Sequence, residues 1–309
     1  MRHTERLSRA LTRSASLQTY TTIGTLVDRG QASDAYRAYA YFRWVDDRVD
    51  KDLVSPGDRL DFVDRQAELI NACYAAGTPS NLEPEEYILA DLIRNHPRED
   101  SPLASYVRSL MSVMRFDAER RGRLISHAEL NGYQRALAVA VTEAMHYFIG
   151  RDQPAPHTSE RYLAVTGAHI VHMLRDTYDD VRAGYFNIPS EFLKAHGISP
   201  LDVESAAYTT WIRMRVEEAR RCFTAGRRYL RQVSSLRCRL AAFAYMARFE
   251  CVLDLIERDQ FRLRPDYAAR KTAGSALRMA GSILVSSLRM DWTALAQGTG
   301  APERLDGGL

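Results

Sequence analysis

The chain has 309 residues, 46% of them hydrophobic and 26% charged, a balance that can bury one large core and excludes a disordered chain. Lys and Arg number 42 against 39 Asp and Glu, so the net charge of +3 gives no case for a nucleic-acid partner. No apolar run is long enough to span a membrane. Cys73, Cys222, Cys238 and Cys251 show neither metal nor redox spacing and are expected to be reduced, mostly buried thiols of a cytoplasmic protein.

In chain order, residues 1–15 form a basic segment carrying Arg2, Arg6, Arg9 and Arg13. It lacks the apolar core of a secretory signal and is read as a surface helix. Apolar residues then recur at i, i+3 and i+4 over 34–50, 60–76, 84–95, 103–121, 127–150, 160–184, 200–233 and 236–263, predicting helices. Ser33 and Ser126 are predicted N-caps, Gly150 and Gly184 predicted stops. Proline and glycine fall between these runs, and no β alternation occurs. Residues 273–288 are apolar and rich in small side chains and predict a packed terminal helix, with contact to a membrane surface as the alternative. Residues 298–309 read as a frayed tail. The pattern predicts an all-α domain over 16–297, with about ten helices around a central cavity.

Two aspartate clusters dominate the polar pattern. The first, Phe42-Arg43-Trp44-Val45-Asp46-Asp47-Arg48-Val49-Asp50, and the second, Leu174-Arg175-Asp176-Thr177-Tyr178-Asp179-Asp180, each lie in a helical run. The spacing is expected to put each trio roughly on one helix face, where like charges repel. Facing carboxylate clusters suit Mg²⁺, which shares its remaining coordination sites with phosphate oxygens, so the pattern points to metal–diphosphate chemistry. Upstream of the second cluster, His169 and His172 extend the polar stripe. Glu143 and His146 form one E-x-x-H, a di-iron ligand pattern when a second copy exists; none does, and a core hydrogen bond is the simpler reading. Tyr36, Tyr39, Tyr41, Phe42 and Trp44 flank the first cluster; Tyr178, Tyr185 and Phe186 flank the second. Such aromatics either fill the core or face a carbocation with their π-clouds.

The segment Tyr39-Ala40-Tyr41-Phe42-Arg43-Trp44-Val45-Asp46-Asp47-Arg48-Val49-Asp50 resembles the "Y-A-x-C-R-x-x-D-D-x-x-D" of the squalene and phytoene synthases. Met173-Leu174-Arg175-Asp176-Thr177-Tyr178-Asp179-Asp180, followed by Gly184 and Ile188-Pro189, resembles their "I-L-R-D-x-x-E-D … G-x-x-Y-L-P". Phe116-Asp117, Leu130 with Tyr133, Glu217 to Arg220, and Phe249 to Glu257 extend the similarity over about residues 16–263. The resemblance implies an all-α isoprenoid synthase in which two farnesyl or geranylgeranyl diphosphates condense head to head through a cyclopropyl intermediate. Its implied metal ligands are Asp46, Asp47, Asp50, Asp176, Asp179, Asp180 and His172, holding Mg²⁺, with Mn²⁺ as an alternative. The implied catalytic set is Asp46, Asp50, Asp176, Asp180, Arg43 and Arg175. Substrate contacts are expected from Tyr20, Tyr39, Arg43, Arg48, Tyr133, Val141, Thr142, His169, His172 and Arg175. Squalene-type reduction would require NADPH, which the chain leaves open, as it does oligomeric state. Release of a lipid product would fit peripheral contact with the inner membrane face.

This chain departs from the family pattern at three places. His169 and His172 stand where the family has Gln and Asn; histidine favours softer metals than Mg²⁺, or can hold phosphate as imidazolium. Val139 and Thr142 replace two glycines and are expected to narrow the lipid tunnel or stiffen its helix. Ser16-Leu17-Gln18-Thr19-Tyr20 replaces "H-S-x-S-F", a segment that touches a diphosphate in the family. These departures keep open cyclisation or transfer of one prenyl diphosphate, a non-catalytic binding role, and a histidine-containing transition-metal site.

Overall fold

The computed structural model describes residues 3–77, 80–150, 153 and 155–267. The described residues form eleven α-helices and no β-strand. The first two are α1 (His3–Ala15) and α2 (Leu17–Leu26), followed by α3 (Ala32–Asp47), which runs on into a π-turn at Arg48–Asp52. Next come α4 (Pro56–Tyr74), α5 (Pro84–Asn95), α6 (Pro102–Arg120) and α7 (His127–Phe148). The chain continues through α8 (Leu163–Ala183), α9 (Ser190–His196), α10 (Ala206–Leu230) and α11 (Leu236–Arg258). The eight predicted helices are all present, with ends moved by a few residues. Helices α2 and α9 are additions that their short apolar patterns did not announce.

Local chemistry explains most boundaries. Pro occupies the first turn of α4, α5 and α6, where its missing N–H costs nothing. Ser126 caps α7 in a reciprocal box with Glu129, as predicted. Ser33 is no cap: α3 starts at Ala32 after Gln31, which is itself helical, so the chain enters α3 from the preceding turn without an extended capping residue. Gly184 ends α8 at φ +86°, a left-handed geometry that favours glycine. That reversal closes with the Tyr185 amide donating to the Asp180 carbonyl at 2.7 Å. The Gly122 amide donates to the Gly184 carbonyl at 2.8 Å, which docks the end of α6 against the end of α8.

The core is continuous. Helix α3 packs on α1, α5 and α6, while α8 packs on α7, α10 and α11. Tyr36, Tyr41 and Phe42 are buried in it, along with Ile88, Leu92, Ile170 and Phe223. Cys222 and Cys238 are buried. Among the described residues no helix is long and apolar enough to cross a membrane. The predicted terminal helix and tail lie outside the described residues.

Helices α8 and α10 approach closely over small residues. A Cβ on Gly226 would come within 2.8 Å of the Ala164 backbone. Gly226→Ala is therefore expected to destabilise the protein by about 1–2 kcal/mol, although alanine is the better helix former by about 1 kcal/mol. A lower denaturant midpoint with unchanged slope would show it. An unchanged midpoint would mean that α8 shifts freely, along with the acidic cluster it carries.

Candidate active site

Four helices converge on a polar cleft of about 270 Å³. Helix α3 and its π-turn bring Arg43, Asp46 and Asp50; α6 brings Asp117 and Arg120; α7 brings Tyr133; α8 brings His169, His172, Asp176 and Asp180. Tyr185 and Asn187, from the segment after Gly184, complete the wall. The two acidic clusters thus face one space, as their sequence suggested.

Not every member faces inward. Asp47 receives Arg43 Nε at 3.0 Å and Lys51 Nζ at 2.6 Å, and it lines no part of the cleft. Asp179 has a side chain 74% exposed and pairs with Arg182 at 2.9 Å. The expectation of three aspartates on one face therefore fails in both clusters. Neighbouring helical residues are separated by about 100°, so when Asp46 and Asp180 point inward, Asp47 and Asp179 turn away.

The inward carboxylates are held in a network. Arg43 Nη1 bonds Asp46 at 2.9 Å while its other nitrogens bind Asp47. Tyr185 donates to Asp50 at 2.7 Å, and Asn187 donates to Asp180 at 2.7 Å. Asp117 accepts from Tyr133 at 3.1 Å and from Arg120 at 2.7 Å. Asp176 is bound by Arg175 and by His172 Nε2 at 2.9 Å.

Burial, then the neighbouring Asp50, pushes Asp46 up to about 7; burial, then Asp176, does the same to Asp180. Burial also raises Asp117. Burial works against Asp176 too, but its bonds from Arg175 and His172 win and hold it below the usual carboxylate range. Burial pushes His169 well below the ordinary histidine value, so it is neutral, and its Nδ1 has no partner.

A second space of about 490 Å³ adjoins the cleft, within the roughly 300–1,000 Å³ typical of small-molecule sites. Its walls are apolar: Ile23, Val27, Tyr39, Phe42, Leu110, Met114, Val141 and Phe148 among them. Arg43, Asp46 and His172 line both spaces and form the junction. On α7 the cavity stripe is Leu137, Val141, Ala144, Met145 and Phe148. Val139 and Thr142 lie off that stripe, so the expectation that they narrow the tunnel is not met; Thr142 is buried elsewhere.

Other expected contacts also sit apart from the cleft. Arg48 lies over the Phe62 ring at 5.4 Å, and Tyr20 packs on Tyr36 with the rings tilted and their centroids 5.2 Å apart. Neither lines the cleft or the apolar cavity. Ser16 spends its hydroxyl capping α2, while Thr19 reaches the apolar cavity. Arg175 acts through Asp176. Glu143 and His146 lie in a separate buried network on α7, the core hydrogen-bonding role that the lone E-x-x-H suggested. Arg120, Asp117 and Asn187 were absent from the expected site. Asp117 had a signal in the Phe116-Asp117 pair, but Arg120 sits in a run with Arg115, Arg121 and Arg123 that reads as a solvated face.

A squalene/phytoene synthase family model matches residues 13–274. The chain belongs to the squalene/phytoene synthase family. Comparison with curated proteins finds no match. Among solved structures, the squalene synthase HpnC from Alicyclobacillus acidocaldarius superposes with a TM-score of 0.66 at 20% identity, covering 84% of this chain and 95% of that one. A dehydrosqualene synthase bound to a ligand superposes with a TM-score of 0.68 at 13% identity, covering 94% and 97%. These likenesses establish the all-α fold of the family.

The cleft's donor set fits the family's hard divalent cation. Asp46, Asp50, Asp176 and Asp180 offer only oxygen, the donor that such a cation takes; burial, then the neighbouring carboxylate, raises Asp46 and Asp180. Among the described residues no three His, Cys, Asp or Glu side chains gather closely enough to hold an ion by themselves.

Proposed function

We propose that this protein is a Mg²⁺-dependent prenyltransferase that condenses two prenyl diphosphates head to head, releasing diphosphate. One observation carries the reading: the acidic cleft opens into the apolar cavity through Arg43, Asp46 and His172. A diphosphate head and a prenyl tail need such a pair of joined spaces. Asp46 and Asp50 on one wall and Asp176 and Asp180 on the other would hold Mg²⁺. When bound, the ion supplies Lewis-acid stabilisation of the departing diphosphate.

The chain's own residues do the rest. Arg43 stands at the junction, where charge develops between the reacting carbon and its leaving group. Tyr39 and Phe42 line the space beyond it, where aromatic rings suit an allylic cation. The apolar walls exclude water that would quench that cation. Arg175 and His172 fix Asp176 in one orientation.

The test is incubation of purified protein with geranyl, farnesyl or geranylgeranyl diphosphate and Mg²⁺, with and without NADPH, followed by pyrophosphate assay and mass spectrometry. A product with twice the carbon count of the substrate is expected. A product of unchanged carbon count would replace condensation by cyclisation. Absence of pyrophosphate release with every chain length, in Mg²⁺ or Mn²⁺, would sink the enzymatic reading and leave a binding role.

A further inference from the structure

Between the two acidic walls lies a cation that the family motifs quoted above do not include. Arg120 is only 5% exposed yet lines the cleft. Its Nε donates to Asp117 at 2.7 Å and its Nη1 to Asn187 at 2.8 Å. The guanidinium lies 4.6 Å from the Tyr133 ring, 4.9 Å from Tyr185 and 5.6 Å from Phe116. Three rings and two hydrogen bonds fix its plane, and its Nη2 has no partner among the described residues. Through Asn187 it reaches Asp180, and through the Tyr185 ring it reaches the group that binds Asp50.

Such placement has a physical consequence. A guanidinium set among carboxylates repels a divalent cation that those carboxylates attract. The same guanidinium, with N–H groups left over, attracts the oxygens of a phosphate and needs no reorganisation to do so. A side chain whose role was only to neutralise Asp117 would not need to line the cleft.

We infer that Arg120 is a fixed diphosphate-binding residue, which places a permanent positive charge between the two acidic walls and contacts the phosphate oxygens directly. This rests on the proposed function for the identity of the ligand as a diphosphate. Arg120 then binds the anion and opposes the metal ion, opposite in sign to every aspartate around it.

That opposition is the test. Inorganic pyrophosphate is titrated calorimetrically into the full chain at saturating Mg²⁺, and Mn²⁺ alone is titrated by paramagnetic resonance. In Arg120→Gln, pyrophosphate affinity is expected to fall about tenfold to a hundredfold, the size of a charged hydrogen bond, while Mn²⁺ affinity rises several-fold. A loosened cleft would weaken both, and that result would overturn the assignment. If Arg120→Gln fails to fold, Arg120→Lys keeps the charge and loses the planar fork. It should leave Mn²⁺ affinity near wild type and still weaken pyrophosphate; wild-type pyrophosphate affinity in a folded Arg120→Lys overturns direct contact. Wild-type protein that binds no pyrophosphate with Mg²⁺ present overturns the diphosphate reading and this assignment together. Wild-type binding that Arg120→Gln leaves unchanged overturns the assignment alone.

Discussion

Asp180→Asn is expected to slow pyrophosphate release by about a thousandfold or more and, in the absence of metal, to raise the melting temperature. The two effects have one cause. Burial and the adjacent Asp176 push Asp180 up to about 7, so its charged form is disfavoured in the folded protein. The folded state therefore holds a proton that the unfolded chain releases near the ordinary value of 3.8. Stability is lost as pH rises through that interval, and the full penalty is present above pH 7. The shift corresponds to about 4 kcal/mol, which solvent screening in a partly open cleft reduces to about 1–2 kcal/mol. Asparagine carries no such penalty and can still accept the hydrogen bond from Asn187.

Added Mg²⁺ should reverse the order, because the ion binds the wild-type folded state more tightly and stabilises it by mass action. Asp46→Asn should behave in the same way, since burial and Asp50 raise Asp46 comparably. Scanning calorimetry at pH 8, with chelator and then with Mg²⁺, measures the crossing. A variant that melts below wild type in chelator, or that keeps the wild-type rate, would show that these carboxylates are structural. Together the signs describe a site whose unfavourable charge is retained for chemistry.

Most of the fold was legible because each helix writes its buried face at i, i+3 and i+4, and the prolines and Ser126 mark where helices begin. The two clusters were legible because Asp46 with Asp50, and Asp176 with Asp180, keep helical spacing inside apolar runs. Which members face inward was not, since that depends on the π-turn at Arg48–Asp52 and on how α8 is rotated against α7 and α10. Nothing local separates Arg120 from Arg121 or Arg123. Its burial comes from the end of α6 docking on the Gly184 turn, a contact between distant segments. Tyr185 and Asn187 enter the cleft by the same turn. Val139 and Thr142 show the opposite error: the family comparison pointed at positions that the helix rotates away from the cavity.

The largest effect on stability is expected away from the cleft, at Glu143. Its carboxylate binds Arg161 twice, at 2.7 and 2.9 Å, and accepts from Tyr162 at 2.9 Å. Both partners of the ion pair are nearly sealed, with side chains 7% and 4% exposed. Arg161 also donates to the Tyr229 hydroxyl at 3.0 Å, and Tyr229 meets His146 Nε2 at 2.9 Å. With Arg161 donating to its oxygen, the Tyr229 hydroxyl keeps its own proton to donate onward, and a neutral His146 ring can accept it at Nε2. Burial, then the Arg161 charge, pushes His146 down to about 4 in keeping with this. Glu143→Ala strands the Arg161 charge and should cost about 3–5 kcal/mol, read as a lower denaturant midpoint. Replacing both partners with apolar side chains of similar size should recover most of that loss, because no buried charge is then left alone. Glu143 lies about 15 Å along α7 from Tyr133, so turnover per folded molecule should stay near wild type. In wild-type protein the same network predicts acid lability: the unfolded chain takes up the His146 proton near 6.5 and the folded state only near 4. Stability should therefore decline by up to about 3 kcal/mol as pH falls through that window. His146→Gln should flatten that part of the pH profile, and a profile unchanged by the substitution would assign the acid lability to other groups.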